Sequence, residues 1–264
     1  MKRIRAFTLL EILVAMGVLA LVLGFLLQIS NGTVLATRAG NHRLEARTQA
    51  RMMLEALAQD WQRQVEGFGA AALVHPAGDP AIALLVESRG YEAGSRFVAV
   101  TYALSGGGEI RQCVESVPWS VEHLASALGT DENATVISRG ILRLDLLLTL
   151  SDGRRVPALQ EGEWLSGTVE GTALPTGYRA LRRSGAVRVV ALTLTVASVS
   201  PSAHGQLTDA GELATVLAAF PTGSEEQPLA SEGWQETLHD GTLSGLPELA
   251  ARSLQITRMT FHLP

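Results

Sequence analysis

Phe7-Thr8-Leu9-Leu10-Glu11-Ile12-Leu13-Val14-Ala15-Met16 opens an apolar run that reaches Leu27 and is interrupted only by Thr8 and Glu11. Met1-Lys2-Arg3-Ile4-Arg5-Ala6 precedes it. At about 1.5 Å of rise per residue, residues 7–27 form a helix about 30 Å long, which matches the hydrocarbon core of a bilayer. The pattern predicts a transmembrane segment over residues 7–29. Lys2, Arg3 and Arg5 ahead of the span predict a cytoplasmic N-terminus with the rest of the chain outside. Arg38, Arg43, Arg47 and Arg51 follow the span and dilute that asymmetry.

Two plainer readings compete with a specialised one. A secretory signal has an apolar core of about 7–15 residues and a small-residue cleavage site; this run is longer, and no A-x-A follows it. An ordinary anchor fits the length but leaves Glu11 unexplained. A carboxylate within a span costs about 2.5–3.5 kcal/mol at mid-depth and less near an end, and such groups normally have a partner. Cleavage before Phe7 would create a positive amine one helical turn from Glu11. A staggered neighbouring chain could then set its amine against this carboxylate and neutralise both charges in lipid.

In these residues the chain resembles type IV pilins and type II secretion pseudopilins, whose precursors carry a short basic leader, a small residue at the cut, Phe-Thr-Leu-x-Glu and a long apolar helix. Phe7-Thr8-Leu9-Leu10-Glu11 matches each of those positions. The resemblance implies cleavage between Ala6 and Phe7 by a prepilin peptidase, N-methylation of Phe7, and an assembly role for the carboxylate of Glu11. It also implies packing against other pilin-like subunits, an inner-membrane assembly platform, and contact with membrane lipids. The expected location is the inner membrane, single-pass, with a periplasmic C-terminal domain. Ala6 stands where the family usually has glycine, a departure that bears on the speed of cleavage.

Beyond the span, Ala50, Met53, Leu54, Leu57, Ala58, Trp61 and Val65 keep a 3.6-residue period, with Arg47, Arg51, Glu55, Gln59, Gln62, Arg63 and Glu66 on the other face. One helix over residues 7–66 is expected, stopped near Gly67 and Gly69, with a leader at 1–6 and a β-rich domain at 67–264. The arginines from 38 to 51 read as a solvated helix face in preference to a DNA-contact stripe. The following pattern predicts strands at 81–87, 96–104, 109–115, 135–150, 186–199 and 253–263. Ser105-Gly106-Gly107-Gly108 lies between two of them and reads as a hairpin loop; a phosphate cradle would need a helix after it. Leu192, Leu194 and Val196 alternate with Thr193, Thr195 and Ala197, which predicts a half-buried strand. A surface helix is expected over 206–220, capped by Thr208 or Asp209, and a long loop over 221–245. The fold class is α+β: a long helix whose second half packs on an antiparallel sheet.

A second, looser resemblance concerns the subtype. In J-type minor pseudopilins and W-type minor pilins, a strand ending Tyr-x-Leu leads through a glycine turn to a strand bearing an arginine. Tyr102-Ala103-Leu104 and Glu109-Ile110-Arg111 are similar here, as are a strand at 141–149, a turn at Ser151-Asp152-Gly153 and Trp164. K-type tip pseudopilins typically lack the assembly carboxylate, whereas Glu11 is present. Residues 200–264 have no counterpart in that resemblance.

Composition narrows the remaining classes. Of 264 residues, 47% are hydrophobic and 18% charged, with a net charge of −5. Removing Lys2, Arg3 and Arg5 from the 21 basic residues leaves 18 against 26 acidic ones, or −8, so nucleic acid is not an expected partner through bulk charge. Cys113 is the only cysteine, which excludes an intrachain disulfide and reads as a packed thiol. The six histidines show no metal-ligand spacing, and no G-x-S-x-G, H-E-x-x-H or Walker sequence occurs. Glu225, Glu226 and His239-Asp240-Gly241 read as solvated loop charges in preference to a calcium loop. Trp61, Trp119, Trp164 and Trp234 read as core or loop anchors. No catalytic residue, cofactor or metal is expected. The leading reading is a minor pilin-like subunit of a pseudopilus or type IV pilus, with tip position implied by resemblance. The alternatives are a DNA-uptake minor pilin, which requires a basic surface, and a stalked hydrolase, which requires titratable groups clustered in one pocket.

Overall fold

The computed structural model describes residues 9–65, 72–75, 80–91, 94–105, 107–117, 134–158, 160, 162–169, 171–183, 185–207, 210–223, 229–239 and 248–263. The chain divides into two compact units, Met1–Asn41 and His42–Pro264. Helix α1 (Leu9–Gln62) supplies every described residue of the first unit and opens the second. In the first unit its apolar side chains are exposed. Thr33 and Thr37 donate their hydroxyls to the carbonyls of Ile29 and Thr33, 2.9 Å each, so these polar groups are satisfied within the helix itself.

In the second unit α1 becomes amphipathic. Ala46, Ala50, Met53, Leu54, Leu57 and Trp61 recur every three or four residues and are buried, while Arg47, Arg51, Glu55 and Gln59 are exposed. The helix ends at Gln62 without glycine or proline. Pairing with a strand ends it: Val65 donates to the carbonyl of Leu85 (2.9 Å) and Glu87 to that of Arg63 (3.3 Å). Gly67 and Gly69, the expected stop, lie outside the described residues.

The strands, all antiparallel, are β1 (Leu73–His75), β2 (Ala81–Glu87), β3 (Phe97–Leu104), β4 (Glu109–Val117), β5 (Thr135–Arg139), β6 (Ile141–Leu150), β7 (Arg155–Pro157), β8 (Leu165–Ser166), β9 (Thr168–Val169), β10 (Thr172–Ala173), β11 (Arg179–Leu181), β12 (Val189–Ser198) and β13 (Gln255–His262). A seven-stranded sheet has the order β5-β4-β3-β2-β1-β11-β8, a four-stranded sheet the order β13-β12-β6-β7, and β9 and β10 form a separate pair. One core joins α1 to both large sheets, through Ile82, Leu84 and Val100 from the first and Leu146, Leu192 and Leu194 from the second. Two hydroxyls fasten the helix: Ser138 of β5 donates to Gln49 O (2.8 Å), and Ser198 of β12 to Ala46 O (3.1 Å).

The expected single strand at 135–150 is two strands, and they belong to different sheets. Gly140 separates them with φ 75°, and a Cβ there would lie 2.3 Å from the carbonyl oxygen of Val199. Only glycine permits that turn and that approach. The expected half-buried β12 is buried on both faces. Its Leu192, Leu194 and Val196 face the main core. Ala197 and the following Val199 face a second cluster with Leu142, Val216, Phe220 and Trp234. That cluster is roofed by short helices, α2 (Pro201–His204), α3 (Ala210–Ala219), α4 (Trp234–His239) and α5 (Glu248–Ser253), with a 3-10 turn at Ala230–Glu232. The stretch at 221–245 therefore contains helical structure where a loop was expected. Trp234 organises it, fully buried, edge-on to Phe220 at 5.7 Å, with its indole donating to Pro221 O (2.8 Å). Thr208 and Asp209, the expected cap of α3, lie outside the described residues.

Candidate functional site

Between Ile12 and Leu27 the helix carries no charged side chain and no polar face. Fifteen large apolar side chains from Leu9 to Ile29 are exposed, Leu9 at 78% and Phe25 at 64% among them. At about 1.5–3 kcal/mol per large side chain, exposing all of them to water would cost on the order of tens of kcal/mol. That exceeds the whole stability of an ordinary domain, about 5–15 kcal/mol. A surface of this kind is made for lipid or for other apolar helices, and α1 is long and apolar enough to cross a membrane.

Glu11 is the exception in this surface. It lies two residues into the described part of α1. The described turn therefore holds a negative side chain among exposed apolar neighbours, Leu10 at 72% and Ile12 at 52%. Ala6 and Phe7 lie outside the described residues. Residues 1–27 match the family model of the prokaryotic N-terminal methylation motif. The match takes in Ala6, Phe7 and Glu11 and supports a type IV pilin-like subunit with single-pass membrane anchoring. No curated protein matches the chain.

Among the described residues, no group of three His, Cys, Asp or Glu is placed to hold a metal ion. A small recess lined by Pro80, Leu144, Asp145, Leu146, Ala158, Thr222 and Gly223 contains one titratable group. Asp145 accepts the Gly223 amide there (2.9 Å), and the recess offers it no acid–base partner. Cys113 is buried in β4, as its place in a strand predicted. His204 packs against the hairpin turn between β3 and β4, at a point where a Cβ on Gly108 would meet its ring at 2.2 Å. Burial lowers the pKa of His204, opposed by the charge of Glu109. Gly108 thus accommodates a side chain, in keeping with the structural reading of the glycine run; Gly106 lies outside the described residues. Trp61, Trp164 and Trp234 are core anchors, while Trp119, Glu225, Glu226, Asp240 and Gly241 lie outside the described residues.

One polar cluster escaped the sequence reading. Asp60, 2% exposed, lies on the buried face of α1 beside Trp61. Its Oδ2 accepts the hydroxyls of Tyr91 (2.6 Å) and Tyr102 (2.5 Å), and Gln112 donates to both phenol oxygens (3.2 and 2.9 Å). Arg63 lies 3.8 Å from Oδ1. Burial, then the hydrogen bond to Asp60, pushes both tyrosine pKa values well above their ordinary value. The phenols remain donors, so the cluster ties α1 to β3 and β4 and supplies no nucleophile.

Proposed function

We propose that this chain is a minor pilin-like subunit, cut between Ala6 and Phe7 by a prepilin peptidase, N-methylated on Phe7, and assembled into a pseudopilus or type IV pilus. Residues 7–29 span the inner membrane, with residues 1–6 as a cytoplasmic leader and the globular domain in the periplasm. Its partners are other pilin-like subunits, met through helix packing, and the inner-membrane assembly platform. Its place is the filament tip, as in the J- and W-type subunits it resembles, and its task is protein secretion or pilus biogenesis. The reading is that of a structural subunit.

One observation carries this reading: an apolar, exposed helix surface that holds a single carboxylate, Glu11, inside a segment that matches the methylation motif. A carboxylate at membrane depth is stabilised by a cation at the same depth, and cleavage before Phe7 creates such a cation on each neighbouring chain. Extrusion of the assembled helices then keeps their apolar surfaces in contact with one another. Four arginines of the domain are charge-paired, Arg111 and Arg139 with Glu109, Arg154 with Asp152 and Arg155 with Glu232, which reduces the basic surface that a DNA-uptake role requires. Mass spectrometry of the protein purified from its host tests the reading, with a methylated N-terminus at Phe7 expected. An intact Met1, or a cut after residue 30, would overturn it.

A further inference from the structure

A sheet edge is a row of unpaired backbone N–H and C=O groups, and proteins keep such edges short, bulged or covered. Three of the four edges of the two large sheets are short or irregular. β8 has two residues and β7 three. β5 has five, and its register slips against β4 between Ile110 and Arg111. The fourth edge, β13, runs for eight residues in unbroken register with β12 and contains neither proline nor lysine.

The outward groups of β13 can be assigned. Leu263 donates its amide to Val190 O (2.8 Å). Counting back in twos, Phe261, Met259 and Thr257 aim their backbone groups at β12, and Ile256, Arg258 and Thr260 aim theirs away. The Trp61 indole takes the carbonyl of His262 (3.0 Å) and closes that end of the edge. Among the described residues, no backbone partner reaches the outward groups of Ile256, Arg258 and Thr260. Apolar rims flank them on both faces: Met259 is partly buried against the main core, and Ile256 against the cluster beneath the short helices. A strand laid along β13 would satisfy the backbone groups and cover apolar surface on both sides.

We propose that the outer edge of β13 docks an extended strand with apolar side chains from a different pilin-like subunit, extending the four-stranded sheet by one strand. This rests on the assembly reading above. A second copy of this chain fits less well. Two β13 edges paired antiparallel through their free outward groups, Ile256 of each to Thr260 of the other, would set Arg258 directly across from its own mate, and like charges so placed repel. An acidic residue in the docked strand at that position complements Arg258.

Photo-crosslinking in the native host tests the proposal, with p-benzoylphenylalanine in place of Arg258 or, separately, of Leu19 in the apolar helix. Both positions are expected to yield adducts with pilin-like subunits, the Arg258 adduct mapping to a strand-forming segment. Thr260→Pro removes one outward N–H and should weaken the Arg258 adduct about fivefold, the effect of one hydrogen bond. Thr260→Val keeps that N–H and should leave the adduct intact. Hydrogen exchange of the Arg258 and Thr260 amides in the unsubstituted chain, assembled against detergent-solubilised, should show protection on assembly and does not depend on the folding of the proline variant. Adducts at Leu19 with none at Arg258, or with only self-adducts there, overturn the docking proposal and leave the assembly reading standing. Adducts at neither position overturn both.

Discussion

Glu11 and Asp60 are both carboxylates on α1, and their surroundings give them opposite roles. Glu11 is exposed among apolar side chains, on the helix surface suited to lipid or neighbouring helices. Glu11→Val should leave membrane insertion and cleavage intact and lower incorporation into filaments about tenfold or more, since 1.4 kcal/mol of lost pairing is already tenfold. Immunoblots of sheared filaments against membrane fractions measure this, and normal incorporation of the variant would remove the pairing argument. Asp60 acts inward. Tyr102→Phe removes one of its two phenol donors and should cost about 1.5–3 kcal/mol, the range for a hydrogen bond to a charged group. Tyr102 also sets an alkaline limit. Its folded pKa is raised above the ordinary value of 10.0, so its contribution is complete below pH 10 and is lost as pH rises beyond it. Denaturant melts at pH 9 and pH 11 should show a smaller alkaline loss in Tyr102→Phe than in the parent. Glu11 was legible in the sequence because a charge in an unbroken apolar run is conspicuous. Asp60 was not, because one acidic residue in an amphipathic helix looks like its polar face until Tyr91 and Tyr102 are brought to it from distant segments.

At the level of elements, the glycine between β5 and β6 governs the architecture most directly. Gly140 lets the chain leave one sheet and enter the other while its carbonyl accepts the Val199 amide (2.8 Å). Gly140→Ala combines a left-handed backbone with a Cβ pressed against the Val199 carbonyl, and should destabilise the second unit by about 3 kcal/mol. Thermal unfolding should show a drop of roughly 5–10 °C, and an unchanged transition would mean that the turn relaxes without strain. Local patterning located β2, β3, β4, β12 and β13 to within a few residues, because alternation and turn residues are written in the chain itself. It did not divide 135–150, because a lone glycine in an apolar run does not announce a change of sheet. The two- and three-residue strands had no periodicity to read. β12 was misjudged for a related reason: Thr193 and Thr195 suggest a wet face, but Thr193 bonds across to Thr260 (2.9 Å) and Thr195 accepts from Arg258 (3.2 Å) beneath the short helices.

For the molecule as a whole, the two units differ in where their apolar surface goes. The first unit exposes its apolar side chains, while the second encloses Met53, Leu57, Leu84, Leu148, Leu192 and Trp234. That division was legible in outline, since a continuous apolar run and a period-3.6 stripe are different patterns. The partition into two sheets was not, because strand pairing joins residues far apart in sequence and is set by which faces become buried together. If each unit behaves as its surface dictates, a variant lacking residues 1–41 should be soluble without detergent and unfold in a single cooperative transition. It keeps the buried stripe of α1 from Ala46 to Trp61, both hydroxyl tethers at Ser138 and Ser198, and the Asp60 cluster. The full chain should need detergent or lipid at the same concentration, given the cost of wetting its apolar helix. Sedimentation velocity and circular dichroism on the two forms check this together. Aggregation of the shortened form, or a melt without a cooperative transition, would mean that the second unit depends on residues 1–41 for its fold.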